Sequence, residues 1–310
     1  MAKRGSRIVG KGATGMNQAE RREFLICALL RERGEAGDYA IPADASGQRD
    51  MLRALFNVRD PRPVDDVVLR VQDEYLQERA REKGIVDFRV EAPRAVSLGE
   101  LGAREDGRAA LSDAADGAAA PTFGSFRKSA DGLCLWQGDI TRLKIDAIVN
   151  AANSALLGCF RPGHYCIDNA IHTFAGMQLR LECARIMRAQ GTPEPTGYAK
   201  VTSAYNLPSS YIVHTVGPIV NGGRPSECDC ELLAQSYRSC LDAARARGCA
   251  SIALCCISTG VFGFPQKAAA RIAIEEVRAW RAEHGKGLDV LFNVFLDSDC
   301  EIYEHLLAGK

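Results

Sequence analysis

The sequence predicts an α/β protein, a mixed central sheet covered by helices on both faces, with a small helical module in front of it. Three observations carry that prediction. From Leu133 onward, short apolar runs alternate with longer stretches of helical periodicity, the pattern of strands joined by crossover helices. Before residue 94 there are three amphipathic helical stretches. Between the two lies a segment, residues 94–121, rich in Ala, Gly, Asp and Ser, with almost no large apolar side chain to bury. The expected organisation is therefore a disordered basic leader over 1–16, a helical module over 17–93, a flexible linker over 94–121 and the main domain over 122–310.

The first helix opens at Asn17, where Glu20 three residues on completes the form of a capping box ahead of the apolar run FLICALL. A second helix is expected from Gln48 to Asn57, with Met51, Leu52, Leu55 and Phe56 spaced along one face. The third runs from about Val64 to Lys83. Pro63 suits its start and Gly84 its end, and the acidic pair Asp65 and Asp66 faces Arg79, Arg81 and Lys83 across the helix dipole. The expected role of this module is to cover one side of the main domain. In the main domain, strands are expected at Leu133–Gln137, Ala147–Val149, Lys200–Ser203, Tyr211–Val216, Ile252–Ile257 and Val290–Phe295. Helices are expected at Asp168–Cys183, Leu232–Arg247, Pro265–His284 and Asp299–Leu307.

Composition narrows the function classes. Acidic and basic residues balance at 39 each, so no basic stripe marks a binder of bare nucleic-acid backbone. There is no run of 18 apolar residues, and the N-terminal MAKRGSRIVGKGATG has no hydrophobic export core, so the chain reads as cytoplasmic and not membrane-bound. In that setting the twelve cysteines read mostly as small buried hydrophobes. Cys228 and Cys230 form a close pair, but no histidine stands near them to complete a metal site.

Chemistry concentrates in two loops, each following an expected strand, where ligands of open α/β sheets sit. After Ala147–Val149 come Asn150 and Asn153, then Cys159, His164 and Cys166, with Gly158, Pro162 and Gly163 to turn the chain back. Two thiols and an imidazole within eight residues suit Zn²⁺, and three protein ligands leave a fourth position open, as at catalytic zinc. A metal-free loop has the same spacing, and the spacing alone favours that plainer reading. Asp168 follows at an expected helix start, where an acidic N-cap is its ordinary role. His172, one turn on, reads as a packed structural histidine. The second loop, Ser258 to Phe264, has small residues that let backbone N–H groups approach a pyrophosphate, with a helix N-terminus just beyond. Phe262 and Phe264 either wall a sugar or belong to the core.

The residues around the first loop tip the balance toward metal. GDIT at 138–141, DAIVNAAN at 146–153, the DNAIH run at 168–172 and ISTGVFGFP at 257–265 resemble, in that order, the ligand loops of the macrodomain family, the ADP-ribose-binding fold. The family's glycine run before the Asp is replaced here by GCFRPGHYC, which is similar to the zinc-dependent microbial branch that removes ADP-ribose from proteins. The resemblance covers residues 134–310. IPAD, NVRDPRPV and QDEYLQE in the N-terminal part resemble that branch's own helical extension.

This resemblance implies a three-layer α/β/α macrodomain holding one zinc ion per chain on Cys159, His164 and Cys166. It implies a catalytic role for Asp168, Asn150 and Asn153. It implies an ADP-ribose site formed by Asp139, Ile140, Asn153, Ser258, Thr259, Gly260, Val261, Phe262, Gly263 and Phe264, with Asp139 accepting from the adenine amine. The implied activity is zinc-dependent hydrolysis of mono-ADP-ribose from modified protein side chains, with an ester-linked acidic acceptor and a functional link to a sirtuin-type ADP-ribosyltransferase. A non-catalytic ADP-ribose reader and a hydrolase of O-acetyl-ADP-ribose are the alternatives. A nucleic-acid partner is the least supported.

Overall fold

The computed structural model describes residues 15–35, 37, 39–99 and 124–309. The leader up to residue 14 and most of the expected linker, residues 100–121, lie outside them. The module consists of α1 (Gln18–Glu32), α2 (Ala45–Val58) and α3 (Asp66–Lys83). Both halves of the Asn17/Glu20 capping box are present. The start of α3 is capped by Asp65, whose carboxylate accepts from Val67 N at 2.8 Å, rather than set by Pro63. Leu25, Ile26, Leu29, Leu52, Phe56, Val71 and Leu76 close a core of their own. Met16, expected in the leader, and Met177 of the main domain are buried with them.

Two short strands, β1 (Val86–Asp87) and β2 (Val96–Ser97), flank the one-turn α4 (Phe88–Glu91). Within the expected linker, residues 96–97 pair with β3 (Arg127–Lys128) and Leu98 is buried in the main core. The rest of the domain is β4 (Cys134–Gln137), β5 (Leu143–Lys144), β6 (Ala147–Ala151), α5 (Ile167–Ala175), α6 (Met177–Gln190), β7 (Ala199–Ser203), β8 (Tyr211–Thr215), α7 (Glu227–Ala246), β9 (Ser251–Leu254), α8 (Gln266–His284), β10 (Asp289–Val294) and α9 (Asp297–Leu307).

The main sheet runs β2-β3-β4-β10-β9-β6-β8-β7. Its five central strands are parallel, whereas β3 and β7 run antiparallel to β4 and β8. Ile148, Val149, Ile212, Val213, Ile252, Leu291 and Phe292 are buried on these strands, as a sheet covered on both faces requires. The chain moves one way across the sheet through α5 and α6 and the other way through α7 and α8. Right-handed crossovers therefore put the two pairs on opposite faces, giving three layers. β1 pairs with β5 and ties the end of the module to the turn after β4. No helix among the described residues is long and apolar enough to cross a membrane.

One expected element divides. The helix expected over Asp168–Cys183 is two helices, broken at Gly176, whose φ of 99° a side chain would strain. Gln72 of α3 is inserted at the break, and its Oε1 accepts from Met177 N at 2.8 Å, supplying the cap that α6 lacks locally. The expected strand Ile252–Ile257 stops at Leu254, and Cys255 begins the Ser258 loop.

Candidate active site

The carboxyl ends of the central strands β4, β6, β9 and β10 gather the two informative loops at one end of the sheet. Asn150 is the fourth residue of β6 and is wholly buried. Its Nδ2 donates to Asp168 Oδ1 at 2.8 Å and faces His214 Nδ1 at 3.1 Å. Asn153 Nδ2 donates to Gly158 O at 3.1 Å and to Asp168 Oδ2 at 3.4 Å. The structure thus brings Asn150, Asn153 and Asp168 together, with each carboxylate oxygen met by one amide. Asp168 is not the N-cap expected from its position. Cys166 is the cap, its Sγ accepting from Asn169 N at 3.4 Å, and the Asp168 carboxylate turns inward from the first turn. Burial pushes its carboxyl up to about 6, against the Asn150 hydrogen bond and the Arg180 charge, which pull it down.

Cys159, His164 and Cys166 also converge. Their Sγ, ring nitrogen and Sγ lie within 4.8 Å of one another, and Cys159 Sγ is 3.4 Å from His164 Nδ1. Tetrahedral zinc with ordinary Zn–S and Zn–N bonds separates a sulfur and a nitrogen ligand by about 3.5 Å, so the donor set fits that ion. Burial, with the neighbouring Cys159 thiol, pushes Cys166 up to about 11. A bound cation would reverse this by stabilising the thiolate.

A second group, His172, Cys183 and His214, is equally close but fully buried. Here His214 is already satisfied. With Asn150 donating to Nδ1, its Nε2 is left to donate to Thr202 Oγ1 at 2.9 Å. Burial lowers His214 to about 3, so it is a neutral link behind Asn150. His172 lies 3.6 Å from Asp168 Oδ1, beyond a hydrogen bond, and a Cβ on Gly158 would meet its ring. It is a packed side chain, as expected.

Asp139 ends the turn after β4 and caps a 3-10 turn, accepting from Thr141 N at 3.0 Å and Thr141 Oγ1 at 2.6 Å. Lys83 Nζ, from the end of α3, lies 2.5 Å from its other oxygen. Burial alone would raise the Asp139 carboxyl, but Lys83 and Thr141 outweigh it and hold the group below its usual range. Phe295, 61% exposed, follows Val294, whose carbonyl accepts from Gly138 N one residue before Asp139. An exposed aromatic following an apolar strand was the signal for it, and the sequence reading placed it inside the strand instead.

The Ser258–Phe264 loop is closed by Phe264 N to Ser258 O at 3.0 Å and Gly263 N to Gly260 O at 3.0 Å. Ser258 takes a left-handed φ of 66°, and Gly217 leaves room for it, since a Cβ there would lie 2.1 Å from Ser258 Oγ. Thr259 Oγ1 donates to Cys256 O. Val261 is 78% exposed and Phe262 half-buried. The Phe264 and Ile140 side chains are core, so each can offer a ligand only its backbone.

Sequence reasoning missed Asn169, Arg53 and Asn57. Asn169, wholly buried, donates toward Cys159 O and Arg161 O, and Arg53 and Asn57 of α2 reach the same loop.

The Macro domain family model matches residues 149–273. A protein-ADP-ribose hydrolase of Treponema medium is 47% identical over 293 residues, 94% of this chain and 100% of that protein. One from Staphylococcus aureus (strain MRSA252) is 42% identical, covering 92% of this chain and 94% of its own. Among solved structures, a Trypanosoma brucei macrodomain in complex with ADP-ribose is 39% identical. It covers 57% of this chain and 69% of that one, with a TM-score of 0.50.

Proposed function

The chain belongs to the macrodomain family, and from that membership we propose that it is a hydrolase removing mono-ADP-ribose from modified protein side chains. The observation that carries the reading is the buried Asp168 carboxylate, held by Asn150 and Asn153 beside the Cys159–Cys166 loop. An ADP-ribose reader has no need of a desolvated, doubly oriented carboxylate at the distal end of its pocket. A hydrolase does, because such a group can position a water and take its proton.

The rest of the site divides the ligand among its parts. Asp139, which only accepts, takes the adenine amine, and the Phe295 ring offers a face to the purine. The amides between Thr259 and Phe262 cradle the pyrophosphate, aided by the N-terminus of α8. Asn153 orients the distal ribose. Cys159, His164 and Cys166 would hold one zinc ion, which supplies Lewis acidity toward a ribose hydroxyl or water at its open position. The finer reading extends the resemblance to an acidic, ester-linked acceptor and to a functional partnership with a sirtuin-type transferase. We place the protein in a reducing cytoplasm, in keeping with its twelve unpaired thiols.

The test is incubation with two mono-ADP-ribosylated proteins, one acidic-linked and one arginine-linked, with and without chelator. Chelator-sensitive release of ADP-ribose from the acidic-linked substrate is expected. Tight binding with no release from either would make the protein a reader, and turnover of O-acetyl-ADP-ribose alone would make it a small-molecule esterase.

A further inference from the structure

We infer that helix α2 of the N-terminal module is a working part of the metal-ligand loop, with Arg53 and Asn57 as the positioning residues that fix His164 and Cys166. The inference rests on the zinc reading above. Arg53 Nη2 donates to His164 O at 3.3 Å and to Asn169 Oδ1 at 3.1 Å, and its Nε reaches the same Oδ1 at 3.3 Å. Its guanidinium lies 4.7 Å from the centre of the Tyr165 ring, which is 82% exposed. One planar fork therefore touches the backbone of one ligand, the ring beside it and the amide that organises the rest. Asn169 passes the constraint on, since its backbone N–H reaches Cys166 Sγ and its Nδ2 donates toward Cys159 O and Arg161 O.

Asn57 holds the other side. Its Oδ1 accepts from Gly163 N at 3.3 Å, at the point where the loop turns with φ of 65°. Its Nδ2 donates to Thr173 Oγ1 on α5. The end of α2 is itself held from the main domain. Arg180 of α6 donates to the carbonyls of Phe56, Asn57 and Arg59, acceptors that a helix end leaves without partners. The same guanidinium lies over the Phe160 ring at 4.5 Å. A loop of nine residues, 158–166, with Gly158, Pro162 and Gly163 has little structure of its own. Every anchor named here comes from α2, α5 or α6. Groups that orient metal ligands in this way typically change metal affinity about 10- to 100-fold when removed.

Two variants, Arg53→Met and Asn57→Ala, test this in the full chain, with Leu30→Ala as a control that loosens the module core away from the loop. Zinc affinity is measured by competition with a chromophoric chelator. Amide exchange over residues 161–166 is measured in the metal-free proteins. The expected result is a roughly 10- to 100-fold loss of zinc affinity in Arg53→Met. Faster exchange should be confined to the loop, and Leu30→Ala should show neither. Unchanged affinity and exchange in both variants, with wild-type protein binding zinc, would overturn the inference and leave the metal reading intact. So would an equal loosening of the loop by Leu30→Ala, which would reduce Arg53 to general stability. If wild-type protein binds no zinc, the metal reading fails by itself. The positioning role then stands if Arg53→Met still speeds exchange in the loop selectively, and falls if it does not.

Discussion

Replacing Asp168 by Ala should separate chemistry from binding, and the structure sets the size of each effect. The carboxylate takes one amide on each oxygen, from Asn150 at 2.8 Å and Asn153 at 3.4 Å. Each Nδ2 keeps one acceptor, His214 Nδ1 for Asn150 and Gly158 O for Asn153, but one N–H of each amide loses its partner. The N-cap of α5 also survives, since it is Cys166. The stability loss is therefore led by the short bond from Asn150, about 1.5–3 kcal/mol for a charge-assisted hydrogen bond, with a smaller share from the 3.4 Å bond of Asn153. Relief of burying an ionised carboxylate offsets part of that. Binding should stay within about tenfold, some 1.4 kcal/mol, because Asp139 and the Ser258–Phe264 loop are untouched. Turnover should fall on the order of 10²–10⁴, the contribution of a positioned acid–base group. Single-turnover release of ADP-ribose from an acidic-linked protein gives the rate, calorimetry gives the affinity, and urea unfolding shows whether the variant is folded. A folded variant that binds normally and turns over within a few-fold of wild type would remove Asp168 from the reaction.

Four further variants test the same geometry. Cys166→Ser should lose most of about one zinc per chain, since a hydroxyl is a poor substitute for a thiolate ligand. Ser is also a good N-cap, so helix loss cannot account for the change, and a stoichiometric metal content would exclude Cys166 from the site. Asp139→Ala should weaken ADP-ribose binding by roughly 1.5–3 kcal/mol. Lys83→Met should instead move the acid limb of binding to higher pH, because Lys83 helps hold Asp139 below its usual range. Calorimetry across the acid range that shows the limb unmoved would mean Lys83 does not set that charge. His214, pushed down to about 3 by burial, stays neutral when folded while its unfolded counterpart protonates below about 6.5. Its contribution is therefore complete above that pH and is lost on acidification, by about 2 kcal/mol at pH 5. His214→Gln should flatten the dependence of the urea midpoint on pH, and identical slopes for the two proteins would refute the assignment.

Much of this protein is determined by its sequence alone. The Asn17/Glu20 box, the strand carrying Ile148 and Val149, and the spacing of Cys159, His164 and Cys166 depend on residues a few positions apart. Such hydrogen bonds and periodicities are encoded locally. The GDIT and STGVFGF turns and the DAIVNAAN strand end carry the macrodomain resemblance for the same reason, each being a short contiguous run. Tertiary structure decided the features whose partners are distant in the chain. Gln72 splits a helix at Gly176 from 105 positions away, and Arg53 meets Asn169 across 116. Lys83 joins Asp139 across 56 positions, where β1 pairs with β5 and Arg142 bonds to Gly84 O. Asp168 is a case of both kinds. Its place at a helix start was readable, but its local role as a cap went to Cys166, because burial turned the carboxylate toward two amides that only the folded sheet brings to it. A periodic pattern shows which face of a helix is apolar. It does not show which buried polar group will find its partner on another element, since that pairing is settled by desolvation across the whole core.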